Sequence, residues 1–217
     1  MQEIFGHHPL TRYSKTEIIP VTTNIYVLES GVVGLYAVGK KTKKLIFMYK
    51  AGEIFPVESP HSYSSGRTYQ YIAMSQVKVR SYTREDIAVR LQNDRILSKL
   101  FAGLNSVTKS QTERIDNLQE DLVQRRLLER LVYVAQRFGE AKGEDFTINV
   151  LLSHVDLASS IGVSRETVNR YMKYFEREGL LKVTKQRIRL LRFKQLVALA
   201  HSESPIDLER RTLRGGT

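Results

Sequence analysis

One long row of side chains along a single face of a predicted helix, here called the seam, constrains the fold of this chain more than any other sequence feature. From residue 97 onward, the side chains that share a helix face recur at alternating spacings of four and three residues over almost four heptads. The seam consists of Leu97, Phe101, Leu104, Thr108, Gln111, Ile115, Leu118 and Leu122. A seam of this length needs a partner, and parallel pairing with a second copy is the simplest solution. Residues 97–122 therefore predict a homodimer, with packing on the chain's own domain as the alternative.

The pattern before this helix is that of short β-strands. Runs rich in β-branched and aromatic residues cover 24–28, 32–38 and 45–49, and 70–80 adds at least one further strand. A Gly-Lys-Lys-Thr-Lys-Lys segment at 39–44 has the composition of a hairpin turn. Short strands at this spacing predict an antiparallel sandwich or barrel.

Composition excludes several kinds of site. The chain contains no cysteine, which rules out disulfides, thiolate zinc sites, Cys-ligated iron–sulfur clusters and cysteine nucleophiles. No apolar run approaches the roughly 18 residues of a membrane helix, and residues 1–10 lack the layout of a signal peptide. His7 and His8 have no carboxylate partner at metal-ligand spacing. We therefore expect a cytoplasmic protein that has no membrane partner, no bound metal and no other cofactor.

Positive charge is concentrated near the C-terminal end. The net charge is +11, and residues 162–194 hold +7 of it through ten basic and three acidic residues. An excess of this kind points to a polyanion, with nucleic acid ahead of a membrane surface. A solvated basic face is the alternative on charge alone.

A helix-turn-helix pattern occupies the same region. Ser153 is placed to cap a first helix whose apolar residues Val155, Leu157, Ala158 and Ile161 face inward, and Gly162 ends this helix where a positive φ is required. Ser164 is placed to cap a second helix with Val168, Met172 and Phe175 as its buried stripe. Gly179 stops that helix, and apolar residues at 180–183 and 188–191 predict a basic hairpin, or wing, around 184–187.

The outer face of the second helix carries groups that can read DNA. If its apolar stripe is buried, the residues on the outer side near the helix start are Arg165, Glu166, Asn169, Arg170 and Lys173. Such a helix end reaches base edges in the major groove. Arginine donates two hydrogen bonds to guanine O6 and N7, and glutamate accepts from cytosine N4. The pattern predicts a protein that binds double-stranded DNA.

These residues resemble the cyclic-AMP receptor protein (CRP/FNR) family of bacterial transcription regulators. The resemblance covers nearly the whole chain in order and is most specific in Gly162-Val-Ser-Arg-Glu-Thr-Val-Asn-Arg170. It implies that Arg165, Glu166 and Arg170 read a TGTGA-like half-site. His154 matches a phosphate-contacting position, with a plain exposed helix residue as the alternative. The candidate DNA-binding set is completed by Ser164, Thr167, Asn169, Lys173 and Lys185.

Motif and resemblance together predict an α+β chain in four parts. Residues 1–93 are expected to form an effector or sensor domain, a β-roll that is a cupin-like antiparallel barrel. Residues 94–122 are expected to form a long dimerisation helix, and 123–201 a winged helix-turn-helix domain. The tail at 202–217 has little to bury and is expected to be disordered.

The effector region departs from the nucleotide-binding members of this family. Those members hold a cyclic phosphate and a ribose with a Gly-Glu-x-x-Gly-Glu stretch followed by Arg-Ser/Thr. Here Arg67 and Thr68 keep the expected spacing, but Pro56 and Val57 replace the second Gly and Glu. Proline removes an amide donor, and the lost carboxylate leaves a ribose hydroxyl unpaired, so the sequence argues against cyclic AMP. Gln111 and Thr112 align with the purine-contacting pair and keep that position polar.

Two other classes of function compete with a sequence-specific regulator. A sequence-tolerant architectural protein would coat DNA, but coating needs no base-edge acceptor such as Glu166. An enzyme would need a nucleophile set, a phosphate loop or paired carboxylates, and the sequence offers none. The resemblance further implies that the loop at 139–144 can contact RNA polymerase.

Overall fold

Two antiparallel sheets make up the N-terminal half of the chain in the computed structural model. The structure describes residues 8–21, 23–40, 42–56, 68–90, 92–120, 122–150, 152–184 and 187–201. The strands described there are β1 (Leu10–Tyr13), β2 (Ile18–Ile19), β3 (Ile25–Ser30), β4 (Val32–Val38), β5 (Lys43–Lys50), β6 (Ile54–Phe55), β7 (Thr68–Ala73) and β8 (Val77–Tyr82). One sheet has the order β1-β8-β3-β6 and the other β2-β7-β4-β5. Both are antiparallel, as the strand pattern predicts.

Aromatic rings fill the core of this half. Phe55 is fully buried, and its ring centroid lies 5.4 Å from that of Tyr26 and 5.2 Å from that of Tyr71, both stacked. Tyr49 lies 5.5 Å from Phe55, and Phe47 meets Tyr49 edge-on at 4.8 Å. Aromatic residues bury the largest areas of any side chains, so this cluster is the principal apolar anchor of the two sheets.

Two helices follow the strands. Helix α1 covers Arg84–Arg90, and helix α2 covers Asp94–Gln119, three residues short of the expected end at 122. One side of α2 packs on the strands: Val107 contacts the aromatic core, and Arg114 donates to the backbone carbonyl of Ile46. The seam side is open, because Phe101 is 57% and Ile115 59% exposed.

The remaining elements build a small α+β unit. They are α3 (Val123–Phe138), β9 (Gly139–Lys142), β10 (Asp145–Ile148), α4 (His154–Ile161), α5 (Arg165–Arg177), β11 (Leu181–Thr184), β12 (Arg187–Leu190) and α6 (Phe193–Ala200). The four strands form one antiparallel sheet in the order β11-β12-β10-β9. The chain divides into two compact units, 1–114 and 115–217, with the boundary inside α2.

The end of α2 belongs to this second unit. Asn117 donates from its side-chain amide to the carbonyl oxygen of Arg126 at 3.3 Å and to the carboxylate of Glu129. A Cβ placed on Gly162 would lie 3.7 Å from the side chain of Leu118. The last turns of α2 are thereby fixed to α3 and to the turn between α4 and α5.

The structure corrects two details of the sequence analysis. The segment at 139–144, expected to be a loop, contains strand β9 because its backbone pairs with β10. Val155, expected to face inward, is 46% exposed, whereas Leu157, Ala158 and Ile161 are buried. Val155 is two residues before Leu157, which at 100° per residue places it about 200° away, on the opposite side of α4. The predicted tail at 202–217 lies outside the described residues.

Within the described ranges, every helix is too short or too polar to span a bilayer. The same part of the chain contains no group of three or more His, Asp or Glu side chains that could hold a metal ion.

Candidate nucleic-acid interface

Local hydrogen bonds fix the first helix of the predicted helix-turn-helix. The Ser153 hydroxyl accepts from the Asp156 amide at 3.1 Å, and the Asp156 carboxylate accepts from the Ser153 amide at 3.0 Å. This reciprocal pair is a capping box, which satisfies two amides that α4 would otherwise leave unpaired. Gly162 ends the helix with φ at +72°, a conformation that costs glycine little.

A turn of three residues, 162–164, separates α4 from the second helix, α5. The Ser164 hydroxyl accepts from the Thr167 amide at 3.1 Å, which confirms Ser164 as the N-cap. Val168, Met172 and Phe175 are at most 2% exposed and bury the inner face of the helix. Because this stripe fixes the rotation of α5, the side chains on its opposite face are directed to solvent.

That outer face carries the predicted base-reading residues. Arg165, Glu166, Arg170 and Lys173 are exposed, and Asn169 is half-buried. Arg165 and Glu166 lie in the first turn, and Arg170 follows within two turns on the same helix. The guanidinium carbon of Arg170 lies 5.2 Å from the ring centroid of Tyr171. A cluster of exposed donors with one carboxylate acceptor has the chemistry needed for guanine and cytosine edges.

The wing is attached directly to this helix. Strands β11 and β12 pair in antiparallel register, and the Glu176 carboxylate on α5 accepts from the Val183 amide on β11 at 2.9 Å. Lys182 and Arg187 are exposed on the hairpin, whereas Lys185 lies outside the described residues. The sequence analysis missed Glu176, because its partner is a backbone amide seven residues away on the hairpin and no residue pattern marks such a contact.

Ser164 and Thr167, two members of the predicted set, have positions that suit a capping role. Thr167 supplies the amide that Ser164 caps, and the two hydroxyls lie 2.9 Å apart, so both side chains stabilise the helix start. His154 is the first residue of α4 and is half-buried.

The described members of the predicted effector set lie on two elements of the first unit. Thr68 begins β7, where it pairs with Val38 on β4. Gln111 and Thr112 lie on α2, where Gln111 is half-buried and the Thr112 hydroxyl donates to the Thr108 carbonyl at 3.1 Å. Arg67 lies outside the described residues.

Replacing Ser164 with Ala is expected to destabilise the first turn of α5 by about 1 kcal/mol, because the Thr167 amide loses its acceptor. Hydrogen exchange at the amides of that turn measures the effect. Ser164→Asp keeps an acceptor at the cap and is expected to exchange nearly as slowly as the original protein. Unchanged exchange in Ser164→Ala would contradict a stabilising role for this cap.

Comparison with known proteins agrees with this geometry. Residues 125–199 match the profile of the Crp-like helix-turn-helix domain. The global nitrogen regulator of Synechocystis is 27% identical over 180 residues, covering 81% of this chain and 80% of its own. The nitrogen fixation regulation protein FixK of Azorhizobium caulinodans is 25% identical over 177 residues, covering 79% of this chain and 69% of its own. These relatives are regulators, not enzymes.

Solved structures share the fold over most of the chain. A CRP/FNR family transcriptional regulator of Thermus thermophilus has a TM-score of 0.71 at 20% identity, covering 90% of this chain and all of its own. FixK2 of Bradyrhizobium japonicum has a TM-score of 0.71 at 19% identity, covering 91% of this chain and 99% of its own. At sequence identities of 20% and 19%, these similarities establish a shared fold alone. Residues 125–199 thus match a Crp-like helix-turn-helix domain, and the chain as a whole is similar in sequence and fold to DNA-binding transcription regulators of the CRP/FNR type.

Proposed function

We propose that this chain is a transcription regulator that acts as a homodimer and recognises a palindromic DNA site with TGTGA-like half-sites. The observation that carries the proposal is the exposed cluster of Arg165, Glu166 and Arg170 on α5, a helix whose rotation is fixed by its buried stripe. Two arginine forks and one carboxylate suit a short run of guanine and cytosine edges. The wing adds Lys182 and Arg187 for contacts with phosphate, together with Lys185 by its place in the sequence.

The seam on α2 supports the dimer. Phe101 and Ile115 are more than half exposed in the single chain, and Leu118 and Leu122 are about two-fifths exposed. A second copy paired in parallel would cover these side chains. Thr108 and Gln111 in the middle of the seam would fix its register. Such a dimer would place two recognition helices about 34 Å apart, on successive major grooves.

The first unit is proposed to bind an effector other than cyclic AMP, or none. Support comes from the sequence, in which Val57 stands where nucleotide-binding members carry the glutamate that holds the ribose. Pro56, next to Phe55, has no amide to offer a phosphate.

Two further contacts are proposed by analogy with the family. Segment 139–144, which includes the exposed end of β9, is the candidate surface for RNA polymerase. The proposed place of action is the cytoplasm, because the proposed ligand is genomic DNA.

Selection of bound fragments from a random DNA pool tests the function. The expected product is a palindrome whose half-sites lie about one helical turn apart. A pool without an enriched palindrome, combined with steeply salt-dependent binding to every duplex, would instead indicate a sequence-tolerant architectural protein. Repeating the selection with a small-molecule fraction of cell extract tests for an effector. A change in binding would identify one, and identical binding would indicate a constitutive regulator.

A further inference from the structure

Asp145 lies where the wing sheet, the wing arginines and the start of α6 meet. Its Oδ2 accepts from Nε of Arg189 at 2.9 Å and lies 2.7 Å from Nη2 of the same side chain. Its Oδ1 accepts from the backbone amide of Arg192 at 2.9 Å. Both carboxylate oxygens are therefore engaged, one by a guanidinium and the other by the backbone.

The contact with Arg192 fixes the turn beside the recognition helix. Arg192 has φ at +48°, in the left-handed region that residues with a Cβ adopt rarely, and it precedes the first turn of α6. Its Nη2 donates to the carbonyl of Gly179, just beyond the end of α5, at 3.4 Å. The amide of the next residue, Phe193, donates to the Glu144 carbonyl at 2.7 Å. Asp145 thus supports a connection that runs from the wing sheet to the end of α5.

The ion pair between Asp145 and Arg189 limits the other contacts that the Arg189 side chain can make. Arg189 pairs with Lys182 across the hairpin and lies two residues from Arg187, so the three cations share the solvent face of the wing. The side chain of Arg189 is 47% exposed, whereas that of Asp145 is only 18% exposed. The Arg192 amide and, after it, the Arg189 guanidinium hold the pKa of Asp145 below its usual value. At neutral pH the carboxylate is ionised and compensates the charge of Arg189.

We propose that Asp145 is a positioning residue that withholds Arg189 from DNA phosphates and thereby limits non-specific binding by the wing. The inference rests on the proposed contact between wing and phosphate. Lys182 and Arg187 remain available for contact with the phosphates of the duplex, whereas the Arg189 guanidinium stays paired with Asp145. Phosphate contacts carry no sequence information, so a third free cation on each wing would strengthen binding to any duplex.

Four proteins test this assignment: the original chain, Asp145→Asn, Arg189→Gln and the double variant. The Asn side chain keeps an oxygen for the Arg192 amide but no longer carries the charge that holds Arg189. The measurement is the slope of log K against log salt on a random-sequence duplex. Asp145→Asn is expected to steepen the slope by about 0.9 per wing, because one more phosphate is neutralised. Over a fourfold rise in salt concentration, this steeper slope lowers the binding constant of the variant by a further factor of about 3.5 per wing.

The single and double arginine variants provide the matched controls. Arg189→Gln alone is expected to leave the original slope unchanged, and the double variant is expected to return to it. A slope shallower by about 0.9 per wing in Arg189→Gln would overturn the inference, since Arg189 would then contact phosphate in the original protein. An unchanged slope in Asp145→Asn would overturn it as well.

The outcome is distinguishable from failure of the proposed function. The duplex has a random sequence, so the four slopes can be compared even when no palindrome is selected. A selected palindrome with a shallower Arg189→Gln slope would reject only the role of Asp145. Circular dichroism of each variant verifies folding, and Arg189→Gln still tests the inference if Asp145→Asn unfolds.

Discussion

Replacing Ile115 with Glu is expected to convert the proposed dimer into a monomer and to weaken binding to the proposed palindrome by about 10²–10⁴-fold. Ile115 lies in the seam of α2 and is 59% exposed in the single chain, so its own unit gains little from it. In a paired seam the same position would be buried, and an ionised carboxylate there would lose its hydration without gaining a partner. The linked second half-site contact is lost together with the dimer.

Ala102→Glu provides the matched control. Ala102 is on the same helix and is also exposed, but it lies off the seam. The two variants introduce the same charge, so only a seam-specific effect separates them. Sedimentation equilibrium gives the oligomeric state, and fluorescence anisotropy on the selected duplex gives the affinity. A dimeric Ile115→Glu protein with unchanged affinity would exclude this seam as the dimer interface.

The DNA-binding unit was predictable because its signals are local. Ser153, Gly162 and Ser164 act within four residues of their own positions, through caps and a left-handed turn. The buried stripe of α5 repeats at the helical period, so its outer face follows from its inner face. Sequence alone therefore located the two helices and the exposed Arg165, Glu166 and Arg170. The hairpin of the wing followed from its two apolar runs.

The N-terminal unit was predicted in class but not in detail. Strands β2 and β6 have two residues each, and both are held by partners that lie far away in sequence. A strand of two residues is too short to show an alternating sequence pattern, so β2 and β6 are defined only by their pairing in the folded sheet. The same holds for the ring cluster, in which Tyr26, Phe55 and Tyr71 come from three separate strands.

The long-range contacts that hold the wing in place could not be predicted from the sequence. Asp145 and Arg189 are 44 residues apart and meet only because β10 and β12 are neighbours in the sheet. In the sequence, Arg189 is simply one of ten basic residues in the segment 162–194. Counting charges treats all ten as available to DNA, whereas the fold compensates at least this one.

Replacing Arg170 with Ala is expected to reduce affinity for the palindrome by about 1–3 kcal/mol per half-site and to relax the base preference at one position in each. This corresponds to about 5- to 150-fold per half-site, and it arises because a guanine edge loses two hydrogen-bond donors. Arg170 is exposed on the outer face of α5, opposite the buried stripe, so its removal leaves the core intact. Anisotropy on single-base variants of the site measures both effects.

Two variants separate base reading from charge. Arg170→Lys keeps the positive charge but not the planar fork, so it is expected to lose the same base preference as Arg170→Ala. Lys182→Ala, on the exposed face of the wing, is expected to weaken all sequences alike and to make the salt slope shallower by about 0.9 per wing. If Arg170→Ala instead weakened every duplex equally, Arg170 would be a phosphate contact. The half-site would then have to be read by Arg165 and Glu166 alone.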